Sequence, residues 1–257
     1  MAKILIYDIE VAPIVATVWG KYEQNFIWSI QDWYILCFAY KWLGERSTYV
    51  VSQTDFKNYR PGLEDDSEVV KVLHNLFSEA EVIVAHNGNS FDQKKSQARM
   101  ILNGLEPPAP YKQIDTKLVA RRYFNFTSNK LDDLGEYLGV GKKIDTGGYE
   151  LWKGCMAGDK KAWAKMRRYN KQDVVLLEKV YLKLRPWIQN HPAVGISDGR
   201  PASCDNCGSI KMHKHTKKTF AKTGWKQQYK CYDCGAYKIG SVLHRVEDVT
   251  NRLDSVV

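Results

Sequence analysis

Two carboxylates lie one residue apart where the first apolar run of the sequence ends. The run covers residues 4–7, and Asp8 and Glu10 follow it. Its β-branched and aromatic residues predict a strand, and apolar residues at both parities are typical of a strand buried on both faces. Side chains alternate along a strand, so both acids point to the same face. Two buried like charges repel each other, and a divalent cation would remove that cost. A strand end that reaches solvent is the simpler alternative.

A third acid follows a second buried strand. Residues 82–85 are all apolar and predict a short strand that runs into a polar turn. We expect Ser90 to cap the next helix and Asp92 to lie in its first turn. Taken alone, Asp92 could simply complement the dipole of that helix.

A fourth acid lies within the apolar stripe of a long helix predicted from about Lys160 to Leu184. Asp173 occurs in that stripe, one turn beyond Tyr169. An aspartate in a core-facing row needs an explanation, because carboxylates are rarely buried unpaired. A metal ion would provide one, and a buried Arg or Lys partner would provide another.

The elements that must position these acids predict an α/β domain. Helical spacing of apolar residues predicts helices over residues 66–79, 117–123 and 131–138. Stretches rich in strand formers predict an antiparallel meander of strands at Val15–Trp19, Tyr34–Trp42 and Thr48–Ser52.

Length and charge indicate a large domain followed by a small basic module. The 257 residues carry a net charge of +9, which favours a polyanionic partner. Residues 200–257 hold 11 basic and 5 acidic side chains, so about a quarter of the chain supplies two thirds of the excess positive charge. We place the boundary after Pro186, around the stretch from Pro192 to Pro201. The predicted domains are residues 1–190 and 200–257.

The sequence contains no stretch that predicts a membrane anchor. No apolar run approaches the roughly 18 residues of a spanning helix. The first residues lead directly into the predicted strand and lack the layout of a signal peptide. We therefore expect a soluble, intracellular protein with no membrane partner. Nothing in the sequence indicates its oligomeric state.

Four cysteines in the basic module have the spacing of a structural zinc site. Cys204 and Cys207 form one Cys-x2-Cys-Gly knuckle, Cys231 and Cys234 form another, and 23 residues separate the two. A β-hairpin can span that gap, and the glycine after each pair permits a left-handed turn. Two disulfides are the alternative, which an intracellular location disfavours. The module resembles a zinc ribbon with one Zn²⁺.

The segment between the two knuckles mixes lysines with aromatic residues. This mixture suits phosphate contact and base stacking by a nucleic acid. A solvated basic hairpin would have the same composition. The candidate contacts are Lys217, Lys218, Lys222, Trp225, Lys226 and Tyr229.

The four acids, in this order and these surroundings, resemble the DEDD superfamily of 3′–5′ exonucleases, the DnaQ-like group. Asp8-Ile9-Glu10 matches the first motif, and residues 87–92, which end in Phe91-Asp92, match the second. Tyr169 and Asp173 match the Tyr-x3-Asp form of the third motif. The chain is therefore similar to DEDDy members such as the proofreading domains of family B DNA polymerases. The resemblance covers roughly residues 3–184.

The resemblance implies an RNase H-like mixed sheet flanked by helices and a metal-dependent 3′–5′ exonuclease. It implies two Mg²⁺ or Mn²⁺ ions, a water oriented by Tyr169 and a nucleic acid that contacts Asn87. DNA is favoured over RNA as the substrate. A structure-specific endonuclease and a non-catalytic nucleic-acid-binding protein remain the alternatives. The residues implied as metal ligands are Asp8, Glu10, Asp92 and Asp173.

Overall fold

The computed structural model describes residues 2–22, 25–195 and 202–245. The chain divides into two compact units, one covering Lys3–Lys183 and the other beginning at Leu184 and including Ala2. Residues 196–201 of the expected boundary and residues 246–257 of the expected ribbon lie outside the described part. No helix in that part is long and apolar enough to cross a membrane.

The larger unit is built on a mixed five-stranded sheet in the order β5-β4-β1-β6-β7. β1 is parallel to β6, and β6 is parallel to β7, whereas β4 pairs antiparallel with both β1 and β5. This arrangement confirms the predicted α/β class. In the described part of this unit the strands are β1 (Ile4–Val11), β2 (Val15–Thr17), β3 (Trp28–Gln31), β4 (Ile35–Trp42), β5 (Tyr49–Ser52), β6 (Val82–Ala85) and β7 (Lys112–Asp115).

Helices cover the two faces of this sheet. Leu5, Tyr7 and Ile9 point to the face that packs against α1, where Leu73 and Phe77 complete the core. The opposite face of β1, which carries the two acids, is turned toward α6. The helices are α1 (Ser67–Glu79), α2 (Asp92–Leu102), α3 (Thr116–Tyr123), α4 (Leu131–Tyr137), α5 (Glu150–Met156) and α6 (Lys160–Leu184).

Three local expectations were wrong or incomplete. β2 pairs with β3, which the sequence did not predict, in a separate two-stranded sheet rather than in one meander with β4. Ser90 does not cap α2, because Phe91 occupies the N-cap position and makes no side-chain cap bond. The short helix α5 was not predicted either. Its seven residues give too little periodicity to recognise.

The smaller unit contains a three-stranded antiparallel sheet in the order β10-β9-β8. β8 and β9 are joined by a tight turn and form the hairpin that we expected between the two cysteine pairs. The strands are β8 (Met212–Ala221), β9 (Gly224–Cys231) and β10 (Tyr237–Arg245).

Candidate active site and zinc site

Three of the four predicted acids meet in one group on the α6 side of the sheet. Asp8 and Glu10 come from β1 and Asp173 from α6, and one carboxylate oxygen of each lies within 4.8 Å of the other two. The alternation of β1 brings the first two together, and the packing of α6 on the sheet adds the third. Asp173 is fully buried, Glu10 is almost so, and Asp8 is half-buried. We call these three residues the acid group.

Burial raises the pKa of each carboxyl in the acid group, and repulsion between the carboxylates adds to this rise for Asp8 and Glu10. Burial, followed by the charges of Asp92, Glu10 and Asp173, raises the pKa of Asp8 well above its ordinary value. Burial and then the charge of Asp173 raise the pKa of Glu10 to about 8. Burial also raises the pKa of Asp173.

The acid group has the donor set that a hard divalent cation requires. Mg²⁺ and Mn²⁺ prefer carboxylate oxygens, and a cation would relieve the repulsion that raises these pKa values. Oδ1 of Asp173 is buried and has no hydrogen-bond partner in the described part of the chain. An unpaired buried carboxylate oxygen is costly, and a bound ion would satisfy it.

Asp92 lies beside the acid group rather than within it. It is the first residue of α2, and its Oδ1 accepts a hydrogen bond from the backbone N–H of Ile9 at 3.2 Å. Burial raises its pKa to about 6. Its charge is close enough to raise the pKa of Asp8. The structure therefore brings the four predicted acids to one region but joins only three of them directly.

Lys143 is a site residue that the sequence analysis missed. Its Nζ donates to Oδ2 of Asp173 at 2.6 Å and to the hydroxyl of Tyr169 at 3.2 Å. Burial alone would lower the pKa of Lys143, but the charges of Asp173 and Asp8 outweigh it and raise that pKa. The lysine is the cationic partner that we considered for Asp173. The buried aspartate was the only signal for such a partner, and nothing near Lys143 in the sequence identified it.

Tyr169 reaches the site through its hydroxyl while its ring stays in the core. The ring is buried and makes an edge contact with Trp152 at 6.3 Å between centroids. Burial, and then the charge of Asp173, raises the pKa of the phenol above its ordinary value. The hydroxyl is therefore protonated at neutral pH and can orient a water molecule, but it is not a base.

Asn170 is a second residue that was missed. It is a fully buried residue of α6 on the side of the helix that faces the sheet. Its Nδ2 donates to Oδ2 of Asp8 at 2.8 Å and to the backbone carbonyl of Asp8 at 3.2 Å. The thiol of Cys37 donates to Oδ1 of Asn170 at 3.8 Å. Asn170 thus fixes the orientation of the Asp8 carboxylate through one of its oxygens.

Asn87 shapes the turn that leads to Asp92. Its φ of 66° lies in the left-handed region, which asparagine tolerates better than most residues. Its backbone N–H donates to Oδ1 of Asp115 at 2.9 Å, and its own Oδ1 accepts from Nζ of Lys117 at 3.2 Å. These contacts account for Asn87 as a structural residue. Its contact with nucleic acid stays a prediction.

The four predicted zinc ligands lie together in the smaller unit. Their Sγ atoms are all within 4.8 Å of one another, with Cys204–Cys234 at 3.6 Å and Cys207–Cys231 at 3.7 Å. A disulfide would place two sulfurs at about 2.05 Å, whereas a tetrahedron with Zn–S bonds of about 2.3 Å has edges of about 3.8 Å. The cysteines therefore fit one Zn²⁺ and not two disulfides.

The glycines of both knuckles have the predicted conformation. Gly208 and Gly235 have φ values of 75° and 79°, in the left-handed region. Their N–H groups donate to the carbonyls of Cys204 and Cys231 at 2.8 and 3.0 Å. These turns aim two sulfurs from each knuckle at one point.

The predicted nucleic-acid contacts of the ribbon all lie on β8, β9 and the turn between them. Trp225 stacks on His244 with ring centroids 4.0 Å apart, and Nζ of Lys218 lies 3.8 Å from its ring centroid. By alternation along β9, Lys226 points away from the face that carries Trp225 and Tyr229. Lys217 and Lys222 are exposed. Their contact with nucleic acid stays a prediction.

Comparison with known proteins identifies the family. The model of the RNase H superfamily matches residues 36–185, more than half of the chain, so the chain belongs to that superfamily. Its larger unit thus has the fold of a nucleic-acid-processing nuclease. The match includes Asp92, Tyr169 and Asp173, and it begins after Asp8 and Glu10.

One solved structure shows where a similar fold occurs. The family B DNA polymerase from the hyperthermophilic archaeon Pyrobaculum calidifontis matches with a TM-score of 0.54 and 20% sequence identity. The match covers 73% of this chain and 25% of the polymerase, so this chain spans about a quarter of that protein's length. At this identity the likeness concerns the fold. No curated protein matches the chain.

Proposed function

We propose that the protein is a metal-dependent 3′–5′ exonuclease that hydrolyses DNA. The observation that carries this proposal is the acid group itself. Three carboxylates converge within 4.8 Å, and the hydroxyl of Tyr169 is linked to Asp173 through Lys143. Membership of the RNase H superfamily supports phosphodiester hydrolysis. The 3′–5′ polarity and the preference for DNA come from the DEDDy resemblance.

The residues of the site have separate tasks in this proposal. Asp8, Glu10 and Asp173, with Asp92 beside them, would hold Mg²⁺ or Mn²⁺, which supply charge stabilisation for the attacking and leaving oxygens. Asn170 keeps the carboxylate of Asp8 in one orientation.

Lys143 and Tyr169 act on the other side of the site. Lys143 orients Asp173 and brings a positive charge to the acid group, where it would stabilise negative charge on a bound phosphate. The protonated hydroxyl of Tyr169 would position the attacking water. The water oxygen bonds to the scissile phosphorus as the P–O3′ bond breaks; the water gives its proton to solvent, and the departing 3′ oxygen takes one up from solvent.

Digestion of end-labelled oligonucleotides tests the activity and its polarity. Single- and double-stranded DNA and RNA are incubated with and without added Mg²⁺. We expect mononucleotides to be released from a free 3′ end, only with the metal, and a blocked 3′ end to resist. Efficient cutting of a closed circle would establish an endonuclease instead.

Asp8→Ala tests the acid group directly. Removal of this carboxylate should abolish hydrolysis while melting temperature and DNA binding stay close to those of the parent. The matched control is Glu68→Ala, which removes an acid from the first turn of α1 whose side chain is 41% exposed. Undiminished turnover by Asp8→Ala would refute the assignment.

The ribbon completes the proposed organisation of a nuclease domain at residues 1–190 and a zinc-bound nucleic-acid-binding module at residues 200–257. One Zn²⁺ on the four cysteines stabilises the module. Its lysines add phosphate contacts that do not depend on base sequence.

A further inference from the structure

Large apolar side chains of the nuclease unit face solvent on one hairpin. In the described part of the chain, β2 and β3 pair only with each other. We call residues 14–31 the aromatic hairpin, of which residues 23–24 lie outside the described part. Trp19, Tyr22 and Trp28 are 85%, 87% and 71% exposed. So many large exposed apolar side chains on one short hairpin indicate a binding surface. The further exposed apolar residues of the hairpin are Ile14, Val18, Phe26, Ile27 and Ile30.

The base of the aromatic hairpin is fixed at the end of β1 that carries the acids. Ala12 follows Glu10 by two residues, and its backbone N–H donates to the carbonyl of Tyr34 at 2.9 Å. Both Ala12 and Tyr34 are buried. The hairpin therefore leaves the sheet at the edge where the acid group lies.

Cations and rings continue from the base of the hairpin to the helix that carries Asp92. Nζ of Lys95 lies 3.6 Å from the ring centroid of Trp33 and 5.3 Å from that of Phe91. Lys95 is one helical turn beyond Asp92 on α2. Rings and a positive charge at this position could contact bases and a phosphate near the acids.

We propose that the aromatic hairpin binds unpaired bases of the strand whose end is held at the acid group. This inference rests on the proposed nuclease function and specifies its substrate. Stacking on tryptophan and tyrosine tolerates any base, which suits an enzyme that removes nucleotides in succession. Bases within a duplex are already stacked on each other and cannot use these rings. The continuity of the hairpin with the acid edge favours nucleic acid over a protein as its occupant.

Binding of normal and abasic oligonucleotides tests the proposal. The protein carries Asp8→Ala, so that it does not cut, and Mg²⁺ and bound zinc are retained. Fluorescence anisotropy compares a single-stranded DNA with the same DNA in which the second to fifth positions from the 3′ end are abasic. We expect the abasic strand to bind at least tenfold more weakly.

The hairpin variant is Trp19→Ser with Trp28→Ser, and the control is Ile101→Ser with Leu102→Ser, two exposed apolar residues of α2. The hairpin variant should lose at least tenfold in affinity for the normal strand and almost nothing for the abasic strand. The control should lose nothing for either. Unchanged melting temperatures verify that both variants fold.

Equal affinity of parent and hairpin variant for the normal strand would overturn the proposal, as would an equal loss with both strands. Oligonucleotide binding that is unchanged in the hairpin variant, together with an altered oligomeric state by light scattering, would assign the hairpin to a protein interface and also overturn it. The test is independent of hydrolysis. If the protein with Asp8 cleaves DNA but the hairpin variant shows no base-dependent loss of affinity, the hairpin proposal alone is rejected. If that loss is found but the protein with Asp8 does not cleave DNA, the nuclease proposal alone is rejected.

Discussion

The ring and the hydroxyl of Tyr169 have different surroundings. The ring fills the core next to Trp152, whereas the hydroxyl lies 3.2 Å from Nζ of Lys143 at the site. Replacement by phenylalanine separates the two contributions, because it removes one oxygen and nearly conserves the volume.

Tyr169→Phe should therefore leave the stability and the DNA affinity close to those of the parent. If the hydroxyl positions the attacking water, the rate of the chemical step should fall by about tenfold to a thousandfold. Single-turnover kinetics at saturating Mg²⁺ measure that step. A normal rate would return Tyr169 to a purely structural role.

The raised pKa of Glu10 makes the stability of the metal-free protein depend on pH. Burial and the charge of Asp173 raise the pKa of Glu10 from an ordinary 4.5 to about 8 in the folded protein. Between these values the folded chain keeps a proton that the unfolded chain has released. The free energy of unfolding should therefore decrease as the pH rises from about 4.5 to 8.

Melting temperatures across this pH range, with and without Mg²⁺, measure the effect. Bound Mg²⁺ keeps the carboxylates ionised in the folded state, so it should flatten the decrease. Glu10→Gln cannot titrate and should also flatten it, without any metal. A metal-free parent that becomes more stable toward pH 8 would contradict the prediction.

At the scale of elements, the loop after α4 decides where Lys143 lies. The backbone N–H of Lys143 donates to Oδ1 of Asp132 at 2.6 Å, which ties the loop to α4. Gly135 lets this loop approach closely. A Cβ at this position would lie 2.5 Å from the carbonyl oxygen of Gly141 and 2.8 Å from Cδ1 of Leu176.

Gly135→Ala should consequently push the loop away from α4 and displace Lys143 from Asp173. We expect a loss of about 1–3 kcal/mol in the free energy of unfolding, as for other overpacked sites, and a lower hydrolysis rate. Urea denaturation and single-turnover kinetics measure the two effects. Glu136→Ala, at an exposed position of the same helix, is the control and should change neither. Parent-like values for Gly135→Ala would show that the loop is not held this closely.

At the scale of the whole molecule, we expect the two units to make different contributions to the affinity for DNA. The ribbon supplies positive charge, and contacts with phosphate release counterions, so affinity should fall steeply with salt. Deletion of residues 200–257 should weaken DNA binding and flatten its salt dependence, while the nuclease unit still cuts with lower efficiency. Anisotropy titrations at several salt concentrations measure both. An unchanged salt dependence would leave the ribbon without a role in binding.

Zinc is expected to support the ribbon alone. Elemental analysis should find about one Zn²⁺ per chain, and Cys231→Ser should lose it together with the ribbon fold. The matched control, Cys155→Ser, changes a buried cysteine of the nuclease unit and should retain the metal. A folded parent protein without zinc would refute the site.

The sequence alone was sufficient for the features of the two candidate sites that depend on short-range spacing. Alternation along one strand put Asp8 and Glu10 on one face, and helical periodicity placed Tyr169 and Asp173 one turn apart on α6. The repeated Cys-x2-Cys-Gly knuckles identified Cys204 and Cys231, with their partners, as candidate zinc ligands. Each pattern is local, because strand and helix geometry fix the relative positions of residues a few places apart.

Only the tertiary structure decided which distant residues complete the site. Lys143 pairs with Asp173 across 30 residues, and Asn170 bonds Asp8 across 162. Local sequence propensities do not predict such pairings, since the pairings arise when α6 and the loop after α4 pack against the sheet. The same limit explains the separate β2–β3 hairpin. Strand-forming residues predict strands, but the partner of each strand is chosen by the packing of the whole fold.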